Sequence, residues 1–341
     1  MRHGGDHAKS ALRWIAPALL GGAAALGGLA VYVDRRAREA ERQHPPIGRF
    51  MTIDGVRLHY IERGRGDPLV LLHGNGTMIQ DFITSGIVDR LAERYRVIVF
   101  DRPGFGYSSR PGRLWSPQAQ AQLIYRALIH LGVVRAVVLG HSWGTQVALA
   151  LGLDYPLLVR SLVLASGYYY PTARADVLLL SPPAIPVIGD AMRYTISPLA
   201  ARLMLPRLIQ KMFEPAPVPE RFDRQMPKEL MLRPSQLQAS AEEAALMAPS
   251  AMDLQHRYRE LAVPAVIITG ADDQIADVGR QSERLHDHLP DSEFVSVPGL
   301  GHMIHHLAPD EVIEAIDRAA HRSSDGMRRT SRTEGASAYS G

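Results

Sequence analysis

The feature that most constrains this chain is a recurring pattern: a short, almost wholly apolar run, then a turn, then a helix-length amphipathic stretch. The runs are "PLVLLHG" at Pro68–Gly74, "RVIVFD" at Arg96–Asp101, "AVVLGH" at Ala136–His141, "SLVLAS" at Ser161–Ser166, "PAVIITG" at Pro264–Gly270 and "EFVSVPG" at Glu293–Gly299. Runs so short and apolar suit strands buried on both faces, as in a parallel sheet. Helix-length segments separate them at Pro117–Leu131, Trp143–Tyr155 and Asp277–Leu289, with another at Pro309–Ala320. Upstream, Phe50–Ile53 and Val56–Ile61 flank Asp54–Gly55, a hairpin signal that adds antiparallel strands. The pattern predicts an α/β fold with a doubly wound, mostly parallel eight-stranded sheet flanked by helices.

Residues 171–255 break the alternation. They are rich in proline, from Pro171 to Pro249, and carry amphipathic stretches such as Leu199–Phe213. This reads as a helical cap of short, proline-broken helices inserted after the sixth strand, dividing the core into 48–170 and 256–321.

Both ends differ in character. Trp14–Val33 holds no charge, is close to the ~20 apolar residues that one helical bilayer crossing needs, and is flanked by Arg13, Arg35 and Arg36. It is expected to be a single-pass membrane anchor, of unreadable orientation, between a basic segment (1–13) and a linker (34–47). The alternatives are a cleaved signal peptide, which would give a secreted or periplasmic protein, and a Gly/Ala-rich linker. Residues 322–341 are small and polar and are expected to be a disordered tail. The formal net charge is only +3, with much of the basic excess at the ends, so nothing argues for a nucleic-acid partner. The absence of cysteine excludes disulfides, thiolate metal sites and a cysteine nucleophile.

The chemistry centres on "GHSWG" at Gly140–Gly144. A serine between an apolar strand and a helix, with glycines two residues either side, is the pattern of a nucleophile elbow. A hydroxyl needs a base to become nucleophilic, and the base needs a carboxylate, in chain order Ser, acid, His. After the run ending at Gly270 the acid is Asp272 or Asp273, and the usual position relative to the glycine favours Asp273. His302, in the Gly-flanked loop after the last run, is the candidate base, with His305 and His306 as rivals. The histidine cluster lacks ligand-spaced carboxylates and cysteines, so neither metal nor cofactor is expected. For an oxyanion hole the candidates are the backbone N–H groups of Trp143 and of Asn75 in "HGNGT". Tyr168 and Tyr169, closing the sixth run, are candidate substrate contacts or aromatic packing.

Taken together, "HGNG" at His73–Gly76, "DRPGFGYS" at Asp101–Ser108, "GHSWG", "GADD" at Gly270–Asp273 and "GHMIHH" at Gly301–His306 resemble the α/β-hydrolase fold superfamily, in its serine-nucleophile branch with a helical cap. The resemblance spans nearly all of Gly48–Ala320. It implies hydrolysis through an acyl-enzyme, with Ser142 as nucleophile, His302 as base and Asp273 as its partner. The "DRPGFGYS" stretch reads as a loop that either packs beneath the oxyanion loop, with Arg102 holding backbone carbonyls, or is purely structural. Similar proteins include esterases, lactonases, carbon–carbon bond hydrolases, iminopeptidases and cofactor-free haloperoxidases; dehalogenases and most epoxide hydrolases carry aspartate at the elbow instead. His141 and Thr145 depart from the iminopeptidase pattern. The expectation is a serine hydrolase cleaving an ester-type (or lactone or C–C) bond of a small apolar substrate, held near a bilayer by its N-terminal helix. The alternatives are a perhydrolase or a non-enzymatic ligand-binding protein on the same scaffold.

Overall fold

The computed structural model describes residues 6–172, 184–185 and 188–322. The expected tail lies almost wholly outside the described residues, as do the first five residues and much of the start of the insertion.

A single sheet of eight strands organises the chain: β1 (Arg49–Ile53), β2 (Val56–Arg63), β3 (Asp67–Leu72), β4 (Tyr95–Phe100), β5 (Ala136–His141), β6 (Val159–Ala165), β7 (Ala265–Gly270) and β8 (Ser292–Val297). Their spatial order is β1-β2-β4-β3-β5-β6-β7-β8. The β1–β2 and β2–β4 pairs are antiparallel and every later pair is parallel. The hairpin turns at Asp54 (φ 51°) and Gly55 (φ 77°), two left-handed residues of the kind such two-residue turns require.

The apolar runs of β3 to β7 are continuous because these inner strands are covered on both faces. In β3, Val70 and Leu72 enter one core layer while Leu69 and Leu71 enter the other. β4 divides the same way, with Ile98 and Phe100 on one face and Val97 and Val99 on the other. Each such side chain, fully removed from water, contributes roughly 1.5–3 kcal/mol before entropy is counted.

Helices α2 (Ile79–Ser85) and α3 (Ile87–Leu91) follow β3, and α4 (Pro117–His130) follows β4. The bounds of α4 are written in its sequence: the Ser116 hydroxyl accepts from the Ala119 N–H at 3.2 Å, Pro117 takes the first helical position, and Gly132 (φ 69°) turns the chain out. Helix α5 (Gly144–Asp154) follows β5. Chain order reverses at β3, whose neighbours are β4 on one side and β5 on the other. In an open α/β sheet such a switch point opens a crevice at the strands' carboxyl ends, where ligands bind.

Between β6 and β7 lies the helical insertion: α6 (Ile188–Arg193), α7 (Ile196–Phe213), α8 (Glu220–Gln225), α9 (Lys228–Met231) and α10 (Pro234–Leu254). α7, 18 residues long, contains the expected amphipathic stretch Leu199–Phe213 with Pro206 inside it, whereas α10 differs from the short, proline-broken helices expected and runs 21 residues through Pro249. A proline forfeits one backbone hydrogen bond, but α10 buries a long face including Gln236, Ala239, Glu243, Ala244, Ser250, Ala251 and Leu254, and packing outweighs local propensity. After β7 the expected helix Asp277–Leu289 is a π-turn over Gly279–Glu283 leading into α11 (Arg284–His288). α12 (Ile304–Leu307) and a helix at 309–322 are the final elements among the described residues.

The structure gives the N-terminal expectation no support. Among the described residues no helix is long and apolar enough to cross a membrane. The stretch 14–33 belongs to one helix, α1 (Asp6–Gln43), which also takes in most of the expected linker and runs on through Arg35, Arg36 and Arg38. Half of residues 14–33 are Gly or Ala, which add little hydrophobicity. The C-terminal half of α1 docks on the insertion. Val33 and Ala40 are buried there, Arg36 pairs with Glu229 at 3.3 Å, and Glu41 receives Arg233 Nη1 at 2.8 Å. Leu20, Leu26, Val31 and Tyr32 remain exposed.

Candidate active site

The turn after β5 is drawn tight. Ser142 holds φ 52°, a left-handed conformation that costs a non-glycine residue roughly 1–2 kcal/mol. Its N–H is fixed to Ala165 O on β6 at 2.9 Å. The flanking glycines are demanded by space: a Cβ on Gly140 would lie 2.5 Å from Gly144 O, and one on Gly144 would lie 2.3 Å from Leu72 O. The strain projects the serine side chain from the carboxyl edge of the sheet, with the N-terminus of α5 directly behind it.

The expected partners meet there. His302 Nε2 lies 2.9 Å from Ser142 Oγ, and His302 Nδ1 lies 2.8 Å from Asp273 Oδ2. His302 and Asp273 are 3% and 6% exposed, so bulk water hardly competes for these bonds. Asp273 Oδ1 accepts the N–H groups of Ile275 (2.8 Å) and Ala276 (2.9 Å), which aims its second oxygen at the histidine. Asp272, the rival acid, faces elsewhere and accepts the Gly299 N–H at 2.9 Å. The acid and histidine loops are pressed together at Gly270, where a Cβ would meet Leu300 O at 2.2 Å.

The loop after β3 lies against the elbow. Gly74 approaches so closely that a Cβ there would sit 3.1 Å from Ser142 Cβ. His73 is fully buried; its Nδ1–H donates to Gly74 O (2.8 Å) and its Nε2 accepts the Arg102 N–H (3.0 Å), which defines the neutral tautomer. Burial, then the Arg102 charge, push its pKa down to about 3. Arg102 holds backbone carbonyls of this loop: Nε donates to His73 O at 2.8 Å and Nη2 to Gly74 O at 2.9 Å. The backbone N–H groups of Asn75 and Trp143, the two oxyanion candidates, find no acceptor among the described residues. The Trp143 ring is buried over the Arg102 guanidinium at 4.9 Å.

The rival histidines belong to another cluster. His306 Nε2 is 2.8 Å from Asp81 Oδ1, and His305 Nε2 is 3.2 Å from Asp81 Oδ2. The donor atoms of Asp81, His305 and His306 lie within 4.8 Å of one another, as a metal site would require. The carboxylate oxygens, however, sit at hydrogen-bonding and ion-pairing distance from the two rings. Burial acts to raise the Asp81 carboxyl, but the neighbouring imidazoles outweigh it and hold it well below its ordinary range. His141, whose Nε2 reaches His302 O at 3.1 Å, is held well below the usual histidine range by burial and then by His305 and His302.

Tyr168 and Tyr169 show the contacts of packing. The Tyr168 hydroxyl donates to Thr172 O (3.2 Å) and accepts the Thr172 N–H (2.7 Å). Tyr169 is fully buried, with its N–H on Gln281 Oε1 at 2.6 Å, and burial drives its hydroxyl pKa upward.

Sequence reasoning missed Asp81, Gln236 and Glu243. Glu243 is fully buried and forks onto Arg102, accepting from Nη1 and, at 3.0 Å, from Nη2. It sits beside Glu242 in an alanine-rich helix, and no local signal says which of the two is buried.

Comparisons with known proteins agree with this architecture. A protein-family model described as alpha/beta hydrolase fold matches residues 67–309. Haloalkane dehalogenase 2 of Mycobacterium tuberculosis (strain ATCC 25618 / H37Rv) is 27% identical over 289 residues, covering 80% of this chain and 94% of its own. Among solved structures, an alpha/beta hydrolase fold protein from Burkholderia ambifaria superposes with a TM-score of 0.68 at 23% identity, covering 79% of this chain and 97% of its own. A membrane phospholipase A superposes with a TM-score of 0.60 at 23% identity, covering 94% and 99%. At these identities the structural likenesses speak for the fold.

Proposed function

Because the chain belongs to the alpha/beta hydrolase fold family, we propose that it is a serine hydrolase that cleaves ester-type bonds of apolar substrates through an acyl-enzyme. The observation that carries the reading is the Ser142–His302–Asp273 chain of hydrogen bonds, at 2.9 and 2.8 Å, on a strained elbow. In this reading His302 Nε2 takes the Ser142 proton as Oγ attacks the carbonyl carbon. Asp273 keeps the imidazole in the required tautomer and balances the imidazolium that forms. The N–H groups of Asn75 and Trp143 receive the negative oxygen of the tetrahedral intermediate. One such donor is typically worth 10²–10³ in turnover. The imidazolium then protonates the leaving group, and water repeats the cycle on the acyl-enzyme.

The dehalogenase relatives prompt a test of the nucleophile. A carboxylate that displaces a halide forms an ester, which water can cleave. A serine doing so would form an alkyl ether, which the same machinery could not hydrolyse. Ser142 therefore favours carbonyl substrates over alkyl halides.

The substrate class proposed is an acyl ester with an apolar tail. Its support is the apolar character of the insertion, in which Leu205, Met212 and Phe213 pack together while Leu199 and Leu203 stay exposed. The fold is shared with a protein named as a membrane phospholipase A. Specificity constants for p-nitrophenyl acetate, butyrate and hexanoate test the reading. Each buried methylene is worth about 0.8 kcal/mol, so two should raise kcat/KM roughly tenfold, and Ser142→Ala should abolish turnover. A flat or falling series would reject the apolar pocket. Hydrolysis undiminished in Ser142→Ala would reject the mechanism.

A further inference from the structure

We propose that helix α10 of the insertion completes the oxyanion hole, with Glu243 and Gln236 as positioning residues that aim the Asn75 N–H. The inference rests on the serine-hydrolase reading above and adds what makes its oxyanion loop competent.

The argument begins with one peptide bond. The Asn75 N–H belongs to the same planar trans unit as the Gly74 carbonyl, so the two groups point in opposite directions. Whatever holds Gly74 O sets the direction of the Asn75 N–H. Gly74 O accepts from Arg102 Nη2 (2.9 Å), His73 Nδ1 (2.8 Å) and Thr77 Oγ1 (3.2 Å). Arg102 also holds the preceding carbonyl, His73 O, at 2.8 Å. The guanidinium thus clamps two successive carbonyls of the loop.

A long flexible side chain clamps only if it is itself held. Glu243 takes Nη1 and Nη2 of Arg102 as a bidentate fork, and Gln120 links the two by accepting from Arg102 Nη1 (3.0 Å) and donating to Glu243 Oε1 (3.0 Å). Arg102 and Glu243 are both fully buried. A buried ion pair is weak evidence for stability, since well-packed apolar residues often serve as well; its planar fork does fix orientation.

The same helix grips the loop twice more. Gln236 Nε2 donates to Gly76 O (3.2 Å) and Thr77 O (3.0 Å), while its Oε1 accepts the Gly106 N–H (3.0 Å). Ser240 O accepts from Asn75 Nδ2 at 3.1 Å. Residues 236, 240 and 243 recur at helical spacing, so one stripe of α10 holds the loop at Asn75, at Gly76–Thr77 and through Arg102. Oxyanion stabilisation would therefore depend on how this helix is docked.

The test is steady-state kinetics of Glu243→Gln and Gln236→Ala in the full chain, with melting temperature and affinity for an alkyl trifluoromethyl ketone, which forms a tetrahedral adduct with the serine. Removing a whole oxyanion donor costs about 10²–10³, so a misaimed one should lower kcat some tenfold to hundredfold. KM should change less than about threefold, and ketone affinity should fall in step with kcat. Gln236→Ala leaves the ion pair intact and carries the test should Glu243→Gln fail to fold. Two folded variants with wild-type kcat, or losses confined to KM or melting temperature, overturn the inference. A wild-type protein that hydrolyses no ester overturns the serine-hydrolase reading, and this inference with it; active wild type with unchanged variants overturns the inference alone.

Discussion

Gly144→Ala is the smallest perturbation that sets the elbow against the sheet. The new methyl would lie 2.3 Å from Leu72 O and 2.7 Å from His73 O, both backbone atoms at the end of β3. Ordinary contact requires about 1 Å more, and no rotamer can supply it, because a Cβ has no freedom and the atoms it meets are main chain. Either the start of α5 lifts or the end of β3 recedes. Overpacking of this kind typically costs 1–3 kcal/mol. The displaced strand end carries the loop bearing Asn75, and a misplacement of about 1 Å can cost a hundredfold in rate. Urea unfolding should therefore show a loss of about 2 kcal/mol, and p-nitrophenyl butyrate turnover should fall at least a hundredfold. Gly112→Ala is the control, since its Cβ would meet nothing within 4 Å. Wild-type stability and turnover in Gly144→Ala would refute the reasoning that space, rather than habit, fixes this glycine.

Stability should decline with acid earlier than carboxylate chemistry requires. Burial holds His73 neutral down to about pH 3 and lowers His141 and His306 as well, whereas in the unfolded chain each titrates near 6.5. The unfolded chain thus binds more protons between pH 6.5 and 3, so stability is full above that window and falls as pH drops through it, by about 1.4 kcal/mol per pH unit for His73 alone. Urea unfolding at pH 7.5, 5.5 and 4.5 measures this, and a flat profile would contradict it. Asp273→Asn should keep the turn made by the Ile275 and Ala276 N–H groups but present an amide N–H to His302 Nδ1. Forced into the wrong tautomer, the histidine should lose about 10⁴ in kcat with little change in melting temperature; a loss under tenfold would contradict the assigned role.

How much of this was legible in the sequence depended on how local each signal was. The elbow lies within five contiguous residues, and its glycines, strand and helix could be read together. The strands could be read because burial on both faces leaves an unbroken apolar run. Asp273 could be placed by its offset from Gly270, although only the geometry shows Asp272 turned to Gly299. The misses are long-range. Glu243 meets Arg102 across 141 positions, and Asp81 meets His306 across 225. Local rules also misjudged Pro249, because burial of a long face holds a helix that propensity alone would break. At the N-terminus an uncharged stretch read as a span, and the docking of Val33 and Ala40 on the insertion, a contact between distant segments, could not be read from composition. Tyr168 and Tyr169 could have lined a substrate or filled a junction; both are buried, and the Tyr168 hydroxyl is engaged by Thr172.

The central claim is that Ser142 is an activated nucleophile, and labelling with a fluorophosphonate probe tests it most directly. An ordinary serine hydroxyl does not react; one whose proton is taken by a histidine beside an oxyanion hole does. Folded protein should be modified once, with the adduct mapped by peptide mass spectrometry to Ser142, and heat-denatured protein should not react. Absence of label under conditions that modify a reference serine esterase, or label on a different serine, would contradict the account.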